Sequence, residues 1–179
     1  DSALSWYIYV PGKISADTVL AYNATNAQFS SPGAFIEGDF NATTFGVGTE
    51  TPTNKSGDGF VAHCFHSVEG YSKVGSYTGN FNANGPFVYT GFRPAWLILK
   101  RTDSADSWLM RDNKRDTFNV TAQMLNANAN TAEYTDSTLI DFVSNGFKLR
   151  HQNSLMNASG GTFIYLAFAE APFKYANAR

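Results

Sequence analysis

Apolar positions along this chain fall in short runs of β-branched and aromatic residues, roughly 8 to 12 residues apart and broken by Gly, Pro and Asn. Runs this brief are too short for amphipathic helices and end in turn-forming residues, so they predict antiparallel strands. Residues 59–65 (Gly-Phe-Val-Ala-His-Cys-Phe) and 162–168 (Thr-Phe-Ile-Tyr-Leu-Ala-Phe) are apolar on both faces. Both therefore predict central strands buried between two layers. Gly75-Ser76-Tyr77-Thr78-Gly79, Pro86-Phe87-Val88-Tyr89-Thr90 and Pro94-Ala95-Trp96-Leu97-Ile98-Leu99-Lys100 predict three more. The last leads through the turn-rich residues 102–106 into Ser107-Trp108-Leu109-Met110, which reads as a hairpin. Thr121-Ala122-Gln123-Met124-Leu125 is read as strand then loop, because the Asn-rich sequence after it is a poor helix former. The fold class expected is all-β, an antiparallel β-sandwich of lectin or jelly-roll type with little helix.

The chain also matches itself at a shift of about 102 residues. Asp1-Ser2-Ala3-Leu4-Ser5-Trp6 returns as Asp103-Ser104-Ala105-Asp106-Ser107-Trp108. More weakly, Tyr22 to Ala27 meets Leu125 to Asn130, and Thr44-Phe45 meets Gly146-Phe147. The strongest block sets Asn54 to Phe65 against Asn157 to Phe168. This predicts two related copies, a first unit over 1–73 and a complete second unit over 74–179. The first is incomplete, because nothing in it answers to Val74 through Thr102. A strand such as Trp6-Tyr7-Ile8-Tyr9-Val10 then lacks its hairpin neighbour, and an apolar edge left bare is rare in folded proteins. Its expected cover is either an upstream part of the same polypeptide or a strand from an identical chain. Residues that recur in both copies are expected to serve the fold: Trp6 and Trp108 in core or inter-sheet packing, with exposed sugar stacking as the weaker alternative for either, and Asn54 and Asn157 in hairpin turns.

Composition narrows the function classes. Charged residues make up 16% of the chain, below the roughly 25% of ordinary soluble domains, while aromatics reach 15%. Such a profile suits a rigid extracellular or virion β-protein. With 13 basic and 15 acidic residues the net charge is −2, too weak a field to attract a phosphate backbone or an anionic bilayer. Neither nucleic acid nor membrane is an expected partner. The densest charge cluster, Arg111-Asp112-Asn113-Lys114-Arg115-Asp116, mixes both signs and reads as a solvated loop. A single cysteine, Cys64, rules out a disulfide within the chain, so stability must come from packing.

No motif points to catalysis. His63-Cys64-x-His66 is the one grouping that hints at a metal or a nucleophile, but strand neighbours point to opposite faces and the second copy replaces these residues with Leu166, Ala167 and Ala169. His63 is expected to be partly buried and hydrogen-bonded. Carboxylates such as Asp136 and Asp141 come without the marks of an acid and base flanking a glycosidic bond. No phosphate loop, nucleophile elbow or zinc-protease motif is present. The expectation is a protein that is not an enzyme, with no catalytic residue, no metal and no cofactor.

The second copy resembles a domain that recurs near the C-terminus of structural proteins of marine tailed bacteriophages, a tail-fibre domain of unknown function. The resemblance rests on Val68-Glu69-Gly70-Tyr71-Ser72-Lys73, Gly75 to Asn80, Gly85 to Trp96, Ser144-Asn145-Gly146-Phe147-Lys148-Leu149-Arg150 and Asn157 to Arg179. The first copy matches less well, with Phe65-His66-Ser67 where the second has Phe168-Ala169-Glu170. The resemblance implies tandem copies joined by the Glu-Gly-Tyr-Ser-Lys linker, residence in a virion and contact with a host surface. It supplies no catalytic residues.

The function expected on these grounds is a virion structural protein of tail-fibre kind that contributes to host attachment. Fibre symmetry suggests a homo-oligomer, a trimer, with a bacterial surface glycan or protein as its target. Shallow sugar sites are built from aromatic faces and loop side chains. Loop candidates are Asn80, Asn82 and Asn84 in one segment and Asp112, Asn113 and Arg115 in another. Two alternatives stand beside it: a purely structural fibre or capsid-decoration protein with no ligand, and a carbohydrate-active tail enzyme.

Overall fold

A computed structural model describes residues 4–15 and 17–172, the side chains at 137 and 138 apart. The Asp1-Ser2-Ala3 part of the self-match and the tail 173–179 lie outside the described residues.

The N-terminal half holds five short strands, β1 (Tyr7–Ile8), β2 (Thr18–Ala21), β3 (Phe29–Ser30), β4 (Phe35–Ile36) and β5 (Gly46–Val47), then one helical turn, α1 (Thr51–Asn54). The C-terminal half follows with β6 (Ser72–Thr78), β7 (Phe87–Tyr89), β8 (Pro94–Arg101), β9 (Leu109–Asp112), β10 (Thr121–Asn126), β11 (Tyr134–Val143), β12 (Gly146–Leu149), a second helical turn α2 (Ser154–Asn157), and β13 (Thr162–Ala169). The predicted strands around 75–79, 86–90, 94–100, 107–110, 121–125 and 162–168 are all present. Every pairing is antiparallel.

Eight strands form one sheet in the order β6-β13-β8-β9-β10-β11-β12-β7. β12 and β13 lie far apart in that order, yet Phe147 meets Tyr165 edge-on with ring centroids 5.2 Å apart. The sheet therefore curls back on itself into a near-barrel, and its two halves face each other as the layers of a sandwich. Val88, Leu97, Leu99, Leu109, Met124, Ile140, Phe142, Phe147, Leu149, Tyr165 and Ala167 fill the interior. The period-2 alternation of β8 and β13 explains why each carries apolar residues on both faces. Leu97, Leu99, Tyr165 and Ala167 face that interior, whereas Ile98, Ile164 and Leu166 face a second core shared with Ile14 and Leu20 of the N-terminal half.

The seam between the halves is tight. Gln28 N–H donates to Thr102 O at 2.8 Å, Asp106 N–H to Thr25 O at 2.8 Å, and the Trp108 indole to Ala21 O at 2.9 Å. Lys100 is fully buried there and donates to Thr25 O at 3.1 Å. Burial disfavours its charged form and draws its pKa down to about 8, against the pull of Asp106.

Strand registers recur between the halves. Tyr7 pairs with Ala21 and Ile8 with Leu20, as Leu109 pairs with Asn126 and Met110 with Leu125. Thr18 pairs with Ser30 and Val19 with Phe29, as Gln123 pairs with Thr135 and Met124 with Tyr134. Phe35 pairs with Val47 and Ile36 with Gly46, as Ile140 pairs with Leu149 and Asp141 with Lys148. The offset is 102 residues at β1 and β5 and 105 from Thr18 to Ile36. Gly57 and Gly160, behind the two helical turns, share a left-handed backbone with φ of 85° and 69°.

Five expectations are corrected. Residues 59–65 form no strand and are exposed, with Val61 at 77%, whereas their counterpart 162–168 is the interior strand β13. A strand with two apolar faces needs neighbours on both edges, and β13 has β6 and β8 while 59–65 has neither among the described residues. Trp108 is buried at 4% as expected, but Trp6 is 59% exposed, and His63 is exposed rather than partly buried. The charge cluster is no simple solvated loop, since Arg111 and Asn113 are buried. Arg111 donates to Thr121 O at 2.9 Å, and burial lowers its pKa to about 10. Asn54 and Asn157 close helical turns instead of hairpins.

Candidate functional site

The loop residues singled out from sequence are largely occupied by the fold. In 80–84 the side-chain amides satisfy the backbone of their own loop: Asn80 Oδ1 accepts from Asn82 N–H at 3.1 Å, and Asn82 Oδ1 from Asn84 N–H at 2.8 Å. The buried Asn157 anchors this loop, accepting from Asn80 N–H at 2.8 Å and donating to Asn82 O at 2.9 Å. Asn80, Asn82 and Asn84 are thus brought together, on one another.

The 112–116 loop behaves alike. Asp112 Oδ1 accepts from the Lys114 and Arg115 amides, both at 2.9 Å, and its Oδ2 takes Arg115 Nε at 2.6 Å. These contacts hold its carboxyl below the usual range, against the opposing effect of burial. Asn113 donates to Glu170 at 2.7 Å, and Glu170 in turn pairs with Arg93 at 2.6 Å. Asp116 accepts from the Ala122 and Gln123 amides, both at 2.6 Å, at the β10 bulge where the register with β11 shifts between Thr121 and Gln123. The hydrogen bonds of the two loops among the described residues do not join one to the other.

A more open arrangement lies where two hairpins of matching register, β1-β2 and β9-β10, meet. Each hairpin has the same clasp at the mouth of its first strand. Trp6 N–H donates to Asn23 Oδ1 at 3.1 Å and Trp6 O accepts from Tyr22 N–H at 2.8 Å. Trp108 N–H donates to Asn128 Oδ1 at 2.7 Å and Trp108 O accepts from Ala127 N–H at 2.8 Å. Tyr22 and Ala127 therefore occupy corresponding places, and their size decides what happens to the tryptophan across the seam. Tyr22 covers Trp108, with ring centroids 5.4 Å apart. Ala127 is too small to cover Trp6.

The result is an open depression of about 280 Å³ lined by Trp6, Tyr22, Asn23, Ala127 and Asn128. His63 steadies the indole from beside it, nearly parallel with centroids 6.4 Å apart. The amide oxygens of Asn23 and Asn128 are spent on the tryptophan backbones, and neither Nδ2 has a hydrogen-bond partner among the described residues. An exposed aromatic face beside two amide donors, with no charged side chain in the lining, suits a neutral polyhydroxylated ligand. No carboxylate, histidine, cysteine or serine lines it, and the Tyr22 hydroxyl is the one O–H group among its lining side chains. Among the described residues no cluster of His, Cys, Asp and Glu could hold a metal ion.

Sequence comparison missed this site for one reason. It set Tyr22 opposite Leu125, two residues from its structural counterpart Ala127, and so hid the large-to-small exchange that uncovers Trp6.

A family model described as a domain of unknown function, DUF7483, matches residues 1–172. No curated protein and no solved structure matches the chain.

Proposed function

The chain belongs to the DUF7483 family of domains of unknown function, and from that premise we propose that it is a non-enzymatic virion surface protein of tail-fibre kind that attaches to host-surface carbohydrate through the Trp6 depression. One observation carries the reading: a tryptophan whose partner in the same hairpin clasp is buried stands exposed beside two free amide donors. Sugars present a C–H face for an aromatic ring and hydroxyls for amides, and shallow neutral sites of this make-up bind them without a charge. The low charged content, the aromatic-rich β fold and the resemblance to phage tail-fibre sequences support placement on a virion. Assembly as a homo-oligomer, a trimer, completes the reading, because weak shallow sites gain from multivalency.

The test is a glycan array followed by titration of a bound oligosaccharide against Trp6→Ala and Trp6→Phe variants. Binding that falls roughly thirty-fold in Trp6→Ala, about 2 kcal/mol, and less in Trp6→Phe supports the site. A flat array, or equal binding by Trp6→Ala, removes it. The second reading, assembly without a ligand, is favoured by Phe87 and Tyr89, both exposed on the sheet-edge strand β7.

A further inference from the structure

The clasp that holds each tryptophan also decides which atoms the depression has to offer. A backbone N–H can meet only an oxygen, so the bonds from Trp6 N–H to Asn23 Oδ1 at 3.1 Å and from Trp108 N–H to Asn128 Oδ1 at 2.7 Å fix the orientation of both side-chain amides. Each asparagine is left with its Nδ2 and the two N–H donors on it. The Trp6 indole N–H likewise has no hydrogen-bond partner among the described residues. Against these donors the lining sets a single hydroxyl, that of Tyr22, and no carboxylate. The rest of it is ring and methyl, from Trp6, Tyr22 and Ala127.

Donors in excess favour a ligand that accepts. A sugar hydroxyl has a hydrogen of its own to place, and a lining short of acceptors leaves that hydrogen to solvent. An acetamido group suits the lining better. Its carbonyl oxygen accepts two N–H bonds, its single N–H needs one acceptor, which the Tyr22 hydroxyl can be, and its methyl suits an aromatic wall. A carboxylate also accepts, but no lysine or arginine lines the depression to offset its lost hydration. On the reading that carbohydrate binds here, we propose that the depression is selective for N-acetylated amino sugars over the corresponding plain hexoses, with Asn23 and Asn128 as the selecting residues and Ala127 as the residue that keeps the site open. The part played by Ala127 follows from its counterpart. Tyr22 and Ala127 each donate N–H to the tryptophan carbonyl of their own hairpin at 2.8 Å, and the larger of the two covers the tryptophan opposite, with ring centroids 5.4 Å apart.

The test uses methyl glycosides in matched pairs, hexose against N-acetylhexosamine, in the gluco, galacto and manno series, titrated by NMR into the full chain and into its Trp6→Ala variant. In at least one series the acetamido sugar is expected to bind about ten-fold or more tightly than its hexose, with both lost in Trp6→Ala. Asn23→Asp and Asn128→Asp keep an oxygen for the tryptophan N–H but replace the donor by an acceptor, so each should bring the acetamido sugar down to the level of its hexose. Ala127→Tyr, which copies Tyr22, should remove binding of both. Binding that depends on Trp6 yet is equal within every pair, or tighter for the hexose, overturns the selectivity and leaves the carbohydrate reading in place. So does a uronic acid glycoside bound more tightly than any acetamido sugar. An unchanged preference in both asparagine variants, or parent-like binding by Ala127→Tyr, overturns the roles given to those residues. No binding by any sugar removes the carbohydrate reading itself, and this inference with it. The comparison within pairs is made on the unmodified chain, so it decides the selectivity whether or not a variant folds.

Discussion

The indole Nε1 of Trp108 donates to the carbonyl of Ala21 at 2.9 Å, joining the C-terminal sheet to the last residue of β2. It is one of four hydrogen bonds that lock residues 21–28 onto 100–108, and it sits over the second core of Ile14, Leu20, Ile98 and Ile164. Trp108→Phe keeps an aromatic ring but removes the donor, and it should cost about 1–3 kcal/mol in urea unfolding. Trp6→Phe, at the corresponding but exposed position, should change stability by less than about 0.5 kcal/mol. Equal effects at the two sites would show that the seam is not where the structure puts it.

Asn157 and Asn54 end corresponding helical turns but differ in burial. Asn157 is 1% exposed, and its side chain bonds to Asn80, Asn82 and His151, whereas the exposed Asn54 makes one bond to Gly48 O. Asn157→Ala leaves several buried groups unpaired and is expected to destabilise by about 3 kcal/mol. Loosening of the 80–84 loop should accompany it, visible as faster amide exchange at Asn80. Asn54→Ala should cost under about 1 kcal/mol.

Lys100 makes stability depend on alkaline pH. Its folded pKa of about 8 lies below the ordinary 10.5, so between those values the unfolded chain holds more protons than the folded one. Stability contributed by this residue therefore rises with pH across that window, by an upper bound on the order of 3 kcal/mol. Lys100→Met removes the rise and is expected to be as stable as the parent or more so at pH 7, since Asp106 N–H still satisfies Thr25 O. Urea midpoints of both proteins from pH 7 to 10 measure the difference, with the raised pKa of Tyr77 and Tyr165 common to both. A parent curve no steeper than that of the variant contradicts the assignment.

Local pattern was enough to read six of the eight strands of the C-terminal half, because each finds its neighbours within that half, while β11 and β12 were not singled out as strands. The same reasoning failed at 59–65. Its apolar pattern is as strong as that of 162–168, yet pattern records what a segment can bury and not whether strands exist beside it. Trp6 and Trp108 make the point again: one residue type in one hairpin clasp is buried by Tyr22 and left open by Ala127. Lys100 and Arg111 could not be placed from sequence either, since burial of a charge rests on carbonyls such as Thr25 O and Thr121 O that come from other strands. The loop candidates were chosen for polar composition, and the fold uses that polarity on its own backbone at Asn80, Asn82 and Asp112.

Hydrogen exchange by mass spectrometry on the unmodified chain puts the central claim, an N-terminal half short of the strands that complete its counterpart, to its most direct test. Peptides covering 162–168 should exchange only with global unfolding, while those covering 60–65 exchange near the rate of an unstructured chain. Strong protection of 60–65 in a monomer would contradict the account.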